Sequence, residues 1–120
     1  MSQDCLFCGI VSGKIPSKAV AINNPNLADE LFAFEDINPA APHHVLIIPR
    51  RHLSSINKLE MMDCELIGKL ALAAKEIARD RGIDENGYRL VINTNNHGGQ
   101  TVFHIHLHLL GGRPLTWPPG

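Results

Sequence analysis

The clearest alternation in the chain lies near its end. From Phe103 to Leu109, apolar side chains take every odd position, and His104, His106 and His108 take the even ones. Successive side chains of a strand point to opposite faces, so "TVFHIHLHLL" predicts a strand with an apolar core face and a wet histidine face. Four earlier segments also predict strands: "KAVAI", "ELFAFEDI", the apolar run "HVLIIP" stopped by Pro49, and "GYRLVIN". "NNPN" and "NPAAP" are turn clusters between them. From about Asp63 to Arg81 the period lengthens. Leu66, Leu70, Ala73, Ala74 and Ile77 share one face of a long helix, and Gly82 follows as its stop. At the start, "DCLFCGIVSGKIP" predicts a short helix capped by Asp4 and ended by Gly13, ahead of a proline.

Three strands, a long helix and two more strands make runs of neighbouring strands, not strict βαβ alternation. That order predicts an α+β fold, a five-stranded and mainly antiparallel sheet covered on one face by the long helix. With no repeat and no linker, residues 1–120 read as a single domain. Its size supports one modest core and leaves pairing with a second copy advantageous. Composition agrees with a folded domain, being 44% hydrophobic and 19% charged. The formal net charge of −1 offers no footprint for a nucleic-acid polymer or an anionic membrane, so an anionic ligand requires a local site. The first residues lack a basic segment followed by an apolar run, and no stretch nears ~18 apolar residues. The expectation is a soluble, cytoplasmic protein. Its 3 cysteines, Cys5, Cys8 and Cys64, suit thiols or metal ligands better than a disulfide framework.

Three readings compete for the histidine row: a metal site, a catalytic site, or chance on a surface strand. Strict alternation of three rare residues argues against chance, whereas lone histidines such as His43 and His97 read as surface. Neutral imidazole is a common zinc ligand, but the outer two histidines lie ~13 Å apart along a strand, so all three cannot share one ion. Catalysis draws support from the preceding "NTNNHGGQT". Its paired glycines can turn backbone N–H groups inward as a phosphate nest, and Thr101 adds a hydroxyl. Imidazole is a good nucleophile toward phosphorus near neutral pH, and the P–N bond it forms is labile. A histidine row beside such a nest points to phosphoryl or nucleotidyl chemistry.

"HIHLHLL" fits His-φ-His-φ-His-φ-φ, with φ apolar, and so resembles the signature of the histidine triad (HIT) superfamily. "GGQTVFHIHLHLLGGRPLTWPPG", with "IPSK", "FAFEDINPAAPHHVLIIPRRH" and "GYRLVINTN", is similar to the Hint branch of purine nucleoside phosphoramidases. The resemblance implies a HIT-like fold and a homodimer whose two sheets join. It also implies binding of a purine nucleoside monophosphate and hydrolysis of a nucleoside 5′-phosphoramidate through a covalent nucleotidyl-histidine. It makes His106 the nucleophile, has His108 bind the phosphate, and places His44 in the network behind His106. Asp36 and Ile37 would hold the ribose, while Asn93, Gly99, Gln100 and Thr101 would line the phosphate and leaving-group side. Trp117 would sit near the partner's site or pack as a terminal aromatic. Asp36 has a second reading as the cap of the turn before Pro39.

Three features depart from the branch. Thr101 stands where serine is common, and "AINNPNLADELFAF" is longer than expected, which bears on the edge of the base pocket. The third is "CLFC". In other members of the superfamily such a pair joins two histidines on zinc, so the implied ligands are Cys5, Cys8, His52 and His104. That closed set would be structural, with no metal needed for catalysis. Other activities remain open: a nucleotide-binding regulatory module with vestigial catalysis, a dinucleoside polyphosphate hydrolase, or a zinc hydrolase using bound water.

Overall fold

The expected antiparallel sheet is present, and its strand order accounts for the runs of strands in the sequence. The computed structural model describes residues 4–120. Strands β1 (Ala19–Val20), β2 (Leu31–Glu35), β3 (His43–Pro49), β4 (Tyr88–Val91) and β5 (Leu107–Gly111) lie in the order β1-β2-β3-β5-β4, all neighbours antiparallel. Helices α1 (Leu6–Ser12), α2 (Pro25–Ala28), α3 (Cys64–Asp80) and α4 (Asn95–Gly98) complete the described chain with two single 3-10 turns. Among the described residues no helix is long and apolar enough to cross a membrane.

The long helix follows its sequence pattern. Leu66, Leu70, Ala73, Ala74 and Ile77 are buried against Leu31, Ala33, Val45, Ile47, Leu107 and Leu109 of the sheet and against Ile105 just before β5. The 3-10 turn Met61–Asp63 that leads into it carries a reciprocal capping box, in which the Glu60 N–H donates to the Asp63 carboxylate at 2.8 Å. Leu70 is fully buried at the centre of this face. A Leu70→Ala change is expected to cost about 2–5 kcal/mol from lost burial and the cavity left behind. Urea unfolding should show a lower midpoint with an unchanged slope.

Four expectations are corrected by the structure. Helix α1 is capped by Cys5, not Asp4, because the Cys8 N–H donates to the Cys5 Sγ at 3.4 Å. "NNPN" is more than a turn: Asn24 caps the one-turn α2, whose Leu27 is buried under α3. The extra length between the first strands therefore packs on the face opposite the histidines. The last strand begins only at Leu107. Its partner β3 stops at Pro49, which has no N–H to offer, and the Ile105 N–H bonds instead to the Leu53 carbonyl at 2.7 Å.

The fourth correction matters most for function. The histidine face is not wet. Phe7 and Ile10 of α1 pack on it with Phe34, Leu46 and Ile48, so the sheet is covered on both sides. Phe103, expected in the core, is half-exposed instead.

Candidate active site

Strands β3 and β5 are neighbours, with His44 opposite Leu110 and His108 opposite Leu46. This register brings His44, His106 and His108 into one cluster with Asp36 from the end of β2. The His44 Nε2 lies 2.9 Å from the His108 Nδ1 and 3.3 Å from the Asp36 carboxylate. The rings of His106 and His108 have centroids 5.0 Å apart.

The hydrogen-bond pattern assigns a tautomer to each ring. The Ala40 N–H donates to the His44 Nδ1 at 3.0 Å, so the His44 proton sits on Nε2. That Nε2–H is shared between the Asp36 carboxylate and the His108 Nδ1. The His108 proton then belongs on Nε2, which is buried and has no hydrogen-bond partner among the described residues. His106 donates from Nδ1 to the His104 carbonyl at 2.8 Å, and its Nε2 keeps a lone pair. One ring thus offers a lone pair beside another that offers an unpaired N–H.

Burial keeps these rings neutral. It depresses the pKa of His106, opposed by the bond to the His104 carbonyl and by the Asp36 charge. It depresses His44 as well, again against Asp36. His108 is pushed down to about 4, chiefly by burial and then by His106 and His44. Phe7 contributes to that burial, with its ring meeting the His106 ring edge-on at 5.0 Å.

The remaining expected residues divide. Asp36 caps the turn that follows it, one oxygen accepting from the Asn38 N–H at 2.8 Å, while the other faces His44. Ile37 beside it is 90% exposed, an apolar side chain available to a ligand. The glycine loop differs from the expected nest. The Gly99 and Gln100 N–H groups bond to the Asn96 and Asn95 carbonyls, so they are spent within the loop. The Gln100 side chain is turned inward, accepting from the Asn95 N–H and donating to the Ser54 carbonyl at 2.7 Å. It braces the loop against the 50–55 segment. Asn93 is half-buried and Thr101 exposed, next to the loop turn at Gly99. Trp117 is largely exposed, with the Arg89 guanidinium 6.0 Å from its ring centre. His97 is on the surface, but His43 is half-buried and held by Arg81.

A second cluster contains the first histidine of the row. His104 is fully buried and donates from Nε2 to the Pro49 carbonyl at 2.8 Å, which frees the Nδ1 lone pair. That Nδ1 lies 3.5 Å from the Cys5 Sγ, 3.6 Å from the Cys8 Sγ and 3.2 Å from the His52 Nδ1. The Cys8 Sγ is 3.4 Å from the His52 Nδ1. A tetrahedral zinc with Zn–S of ~2.3 Å and Zn–N of ~2.0–2.1 Å has ligand–ligand edges of roughly 3.3–3.8 Å. The donor set and its separations fit such an ion. The Pro49 carbonyl supplies the outer hydrogen bond that orients a metal-binding imidazole.

Residues 16–115 match the profile of the HIT domain. The chain belongs to the HIT family. A HIT family hydrolase from Legionella pneumophila is 50% identical, with a TM-score of 0.89 over 97% of this chain and 99% of that one. The purine nucleoside phosphoramidase of Escherichia coli strain K12 is 44% identical over 115 residues, 96% of this chain and 92% of its own. An uncharacterized HIT-like protein of Synechocystis is 47% identical over the full length of both chains. These likenesses support an enzyme of the HIT hydrolase kind. The HIT-domain match begins after Cys5 and Cys8, so the segment that completes the second cluster lies outside it. Phe7, between those cysteines, is the neighbour of the triad that sequence reasoning missed. Its signal was the apolar pair Phe7 and Ile10 at helical spacing, a stripe that needed a face to cover.

Proposed function

We propose that this HIT protein hydrolyses the P–N bond of purine nucleoside 5′-phosphoramidates, with His106 as the nucleophile. The observation that carries this reading is the tautomer chain from Ala40 through His44 to His108, set beside a His106 Nε2 that keeps its lone pair. In the first step the His106 Nε2 attacks phosphorus, the P–N bond breaks, and the leaving nitrogen takes a proton from solvent and departs as an amine. Water then attacks the nucleotidyl-histidine, releasing the nucleoside monophosphate and restoring the imidazole. The unpaired His108 Nε2–H donates to a phosphate oxygen, where negative charge is held through both steps. The Asp36 carboxylate accepts from ribose hydroxyls, and Thr101 and Asn93 face the phosphate and leaving-group side.

The same reading assigns a structural zinc to Cys5, Cys8, His52 and His104. Bound there, zinc would tie α1 to the strand that carries His106, with all four positions filled by protein and none left for a reacting water. We include a homodimer in the proposal. Strand β4 ends the sheet, its Leu90 is 38% exposed, and pairing of two copies along such an edge would cover it.

The pH profile of hydrolysis tests the reading. Neutral imidazoles are needed, and burial holds His44, His106 and His108 below the ordinary 6.5. Turnover of adenosine 5′-phosphoramidate should therefore stay level as pH falls through 6.5 and drop only in more acid solution. A half-loss at 6.5, as for a solvated imidazole, would count against a buried nucleophile. Stability follows the same sign. Between about 4 and 6.5 the unfolded chain binds a proton that folded His108 refuses. The stabilisation is complete above 6.5 and is lost as pH falls toward 4.

A further inference from the structure

At the far end of α3, a part-buried contact joins the helix to two strands beside the nucleotide site. Arg81 follows the last residue of that helix, its backbone N–H bonded to the Ile77 carbonyl at 3.0 Å. Its guanidinium reaches two strands at once. One nitrogen pairs with the Glu35 carboxylate, and the other lies 3.3 Å from the His43 Nδ1. Because guanidinium has no acceptor, His43 accepts through Nδ1.

These two contacts are one residue upstream of Asp36 and of His44. Side chains alternate along a strand, so Glu35 and His43 face α3 while Asp36 and His44 face the histidine cluster. The Asp36 N–H bonds to the His44 carbonyl at 2.9 Å, closing the β2–β3 ladder where the site begins. Behind His43 the chain leaves no slack. Gly112 has φ +97°, and a Cβ there would meet the Pro42 Cβ at 2.9 Å and the His43 Cδ2 at 3.0 Å. His43 is thereby held between a glycine backbone and a planar fork.

We propose that Arg81 is a positioning residue for the nucleotide site. By gripping Glu35 and His43 from α3, it sets the separation of the Asp36 carboxylate and the His44 Nε2 on the opposite face, and so the grip on the ribose. A fork suits this task because one rigid group spans two strands, which a lysine ammonium cannot do. The proposal rests on Asp36 binding ribose as described above.

The test measures equilibrium binding of adenosine 5′-monophosphate and of its 2′,3′-dideoxy counterpart to the wild type, Arg81→Met, Arg81→Lys and Lys69→Met. Lys69→Met breaks the other ion pair between α3 and β2's neighbourhood, Lys69–Glu30, and controls for general loosening. Wild type should favour the ribonucleotide by about tenfold, the size of one charge-assisted hydrogen bond. Arg81→Met should reduce that preference to within about twofold while dideoxynucleotide binding stays near wild type. Arg81→Lys should fall between, and Lys69→Met should match wild type. A folded Arg81→Met that keeps the full ribose preference, or weakens both nucleotides equally, overturns the positioning role alone. If wild type binds neither nucleotide, the functional reading fails and the proposal with it. A charge-swapped pair, Glu35→Arg with Arg81→Glu, covers the case in which Arg81→Met does not fold. It should recover part of the ribose preference, and a folded swap with none recovered is equally decisive against the role.

Discussion

A His106→Ala variant is expected to lose hydrolysis of adenosine 5′-phosphoramidate by about 10⁴-fold or more, the usual scale for removing a covalent nucleophile. Nucleoside monophosphate affinity should change only a few-fold. The proposed binding groups, Asp36, Thr101 and the His108 Nε2–H, do not depend on the His106 ring. His106 bonds to the main-chain carbonyl of His104, and its loss leaves the His44–His108–Asp36 contacts in place. Steady-state kinetics and calorimetric binding on the same preparation separate the two effects. Undiminished turnover would return the chain to the alternatives of a zinc hydrolase or another nucleophile. Turnover absent from the wild type, with binding intact, would support a nucleotide-binding module.

The second large effect concerns the cysteines. Chelation of the purified protein, or a Cys5→Ser change, should remove one zinc per chain and lower the thermal midpoint by roughly 10 °C. A net loss of about 3 kcal/mol is enough for that in a domain of this size, and it is a modest share of what a structural zinc site can contribute. The physical reason lies in what surrounds the donors. Burial and the neighbouring Cys5 push the Cys8 thiol up, and His104 is fully buried. Without an ion, two sulfurs and two ring nitrogens stand 3.2–3.6 Å apart with no cation to share their lone pairs. Metal content and a melting curve measured together decide the matter. Protein that carries no zinc, and whose midpoint ignores both chelator and Cys5→Ser, would remove the metal from the account.

Much of this architecture was legible in the residues because local pattern and tertiary outcome coincide. Period-two runs and the apolar run before Pro49 mark the strands, and Leu66, Leu70, Ala73, Ala74 and Ile77 all lie on the buried face of α3. Strand alternation puts His106 and His108 on one face, the resemblance to the HIT signature adds His44 and Asp36, and the structure brings all four together. What could not be read depends on partners distant in sequence. The histidine face looked wet because nothing local shows that Phe7 and Ile10 will cover it. The strand's late start follows from Pro49 ending its partner, a register fact. Gln100 looked like a ligand-facing residue until its amide met the Ser54 carbonyl, 46 positions away in the chain. His43 looked like surface, because its Arg81 contact comes from the end of a helix 38 positions on.

The central claim is that phosphorus becomes bonded to the His106 Nε2. Intact-mass spectrometry of wild type and His106→Ala, acid-quenched during turnover of adenosine 5′-phosphoramidate, tests it most directly. The account predicts a wild-type species heavier by one adenylyl group, lost as substrate runs out, and no such species in His106→Ala. Active wild type with no adduct at any quench time, or an adduct that persists in His106→Ala, would contradict it.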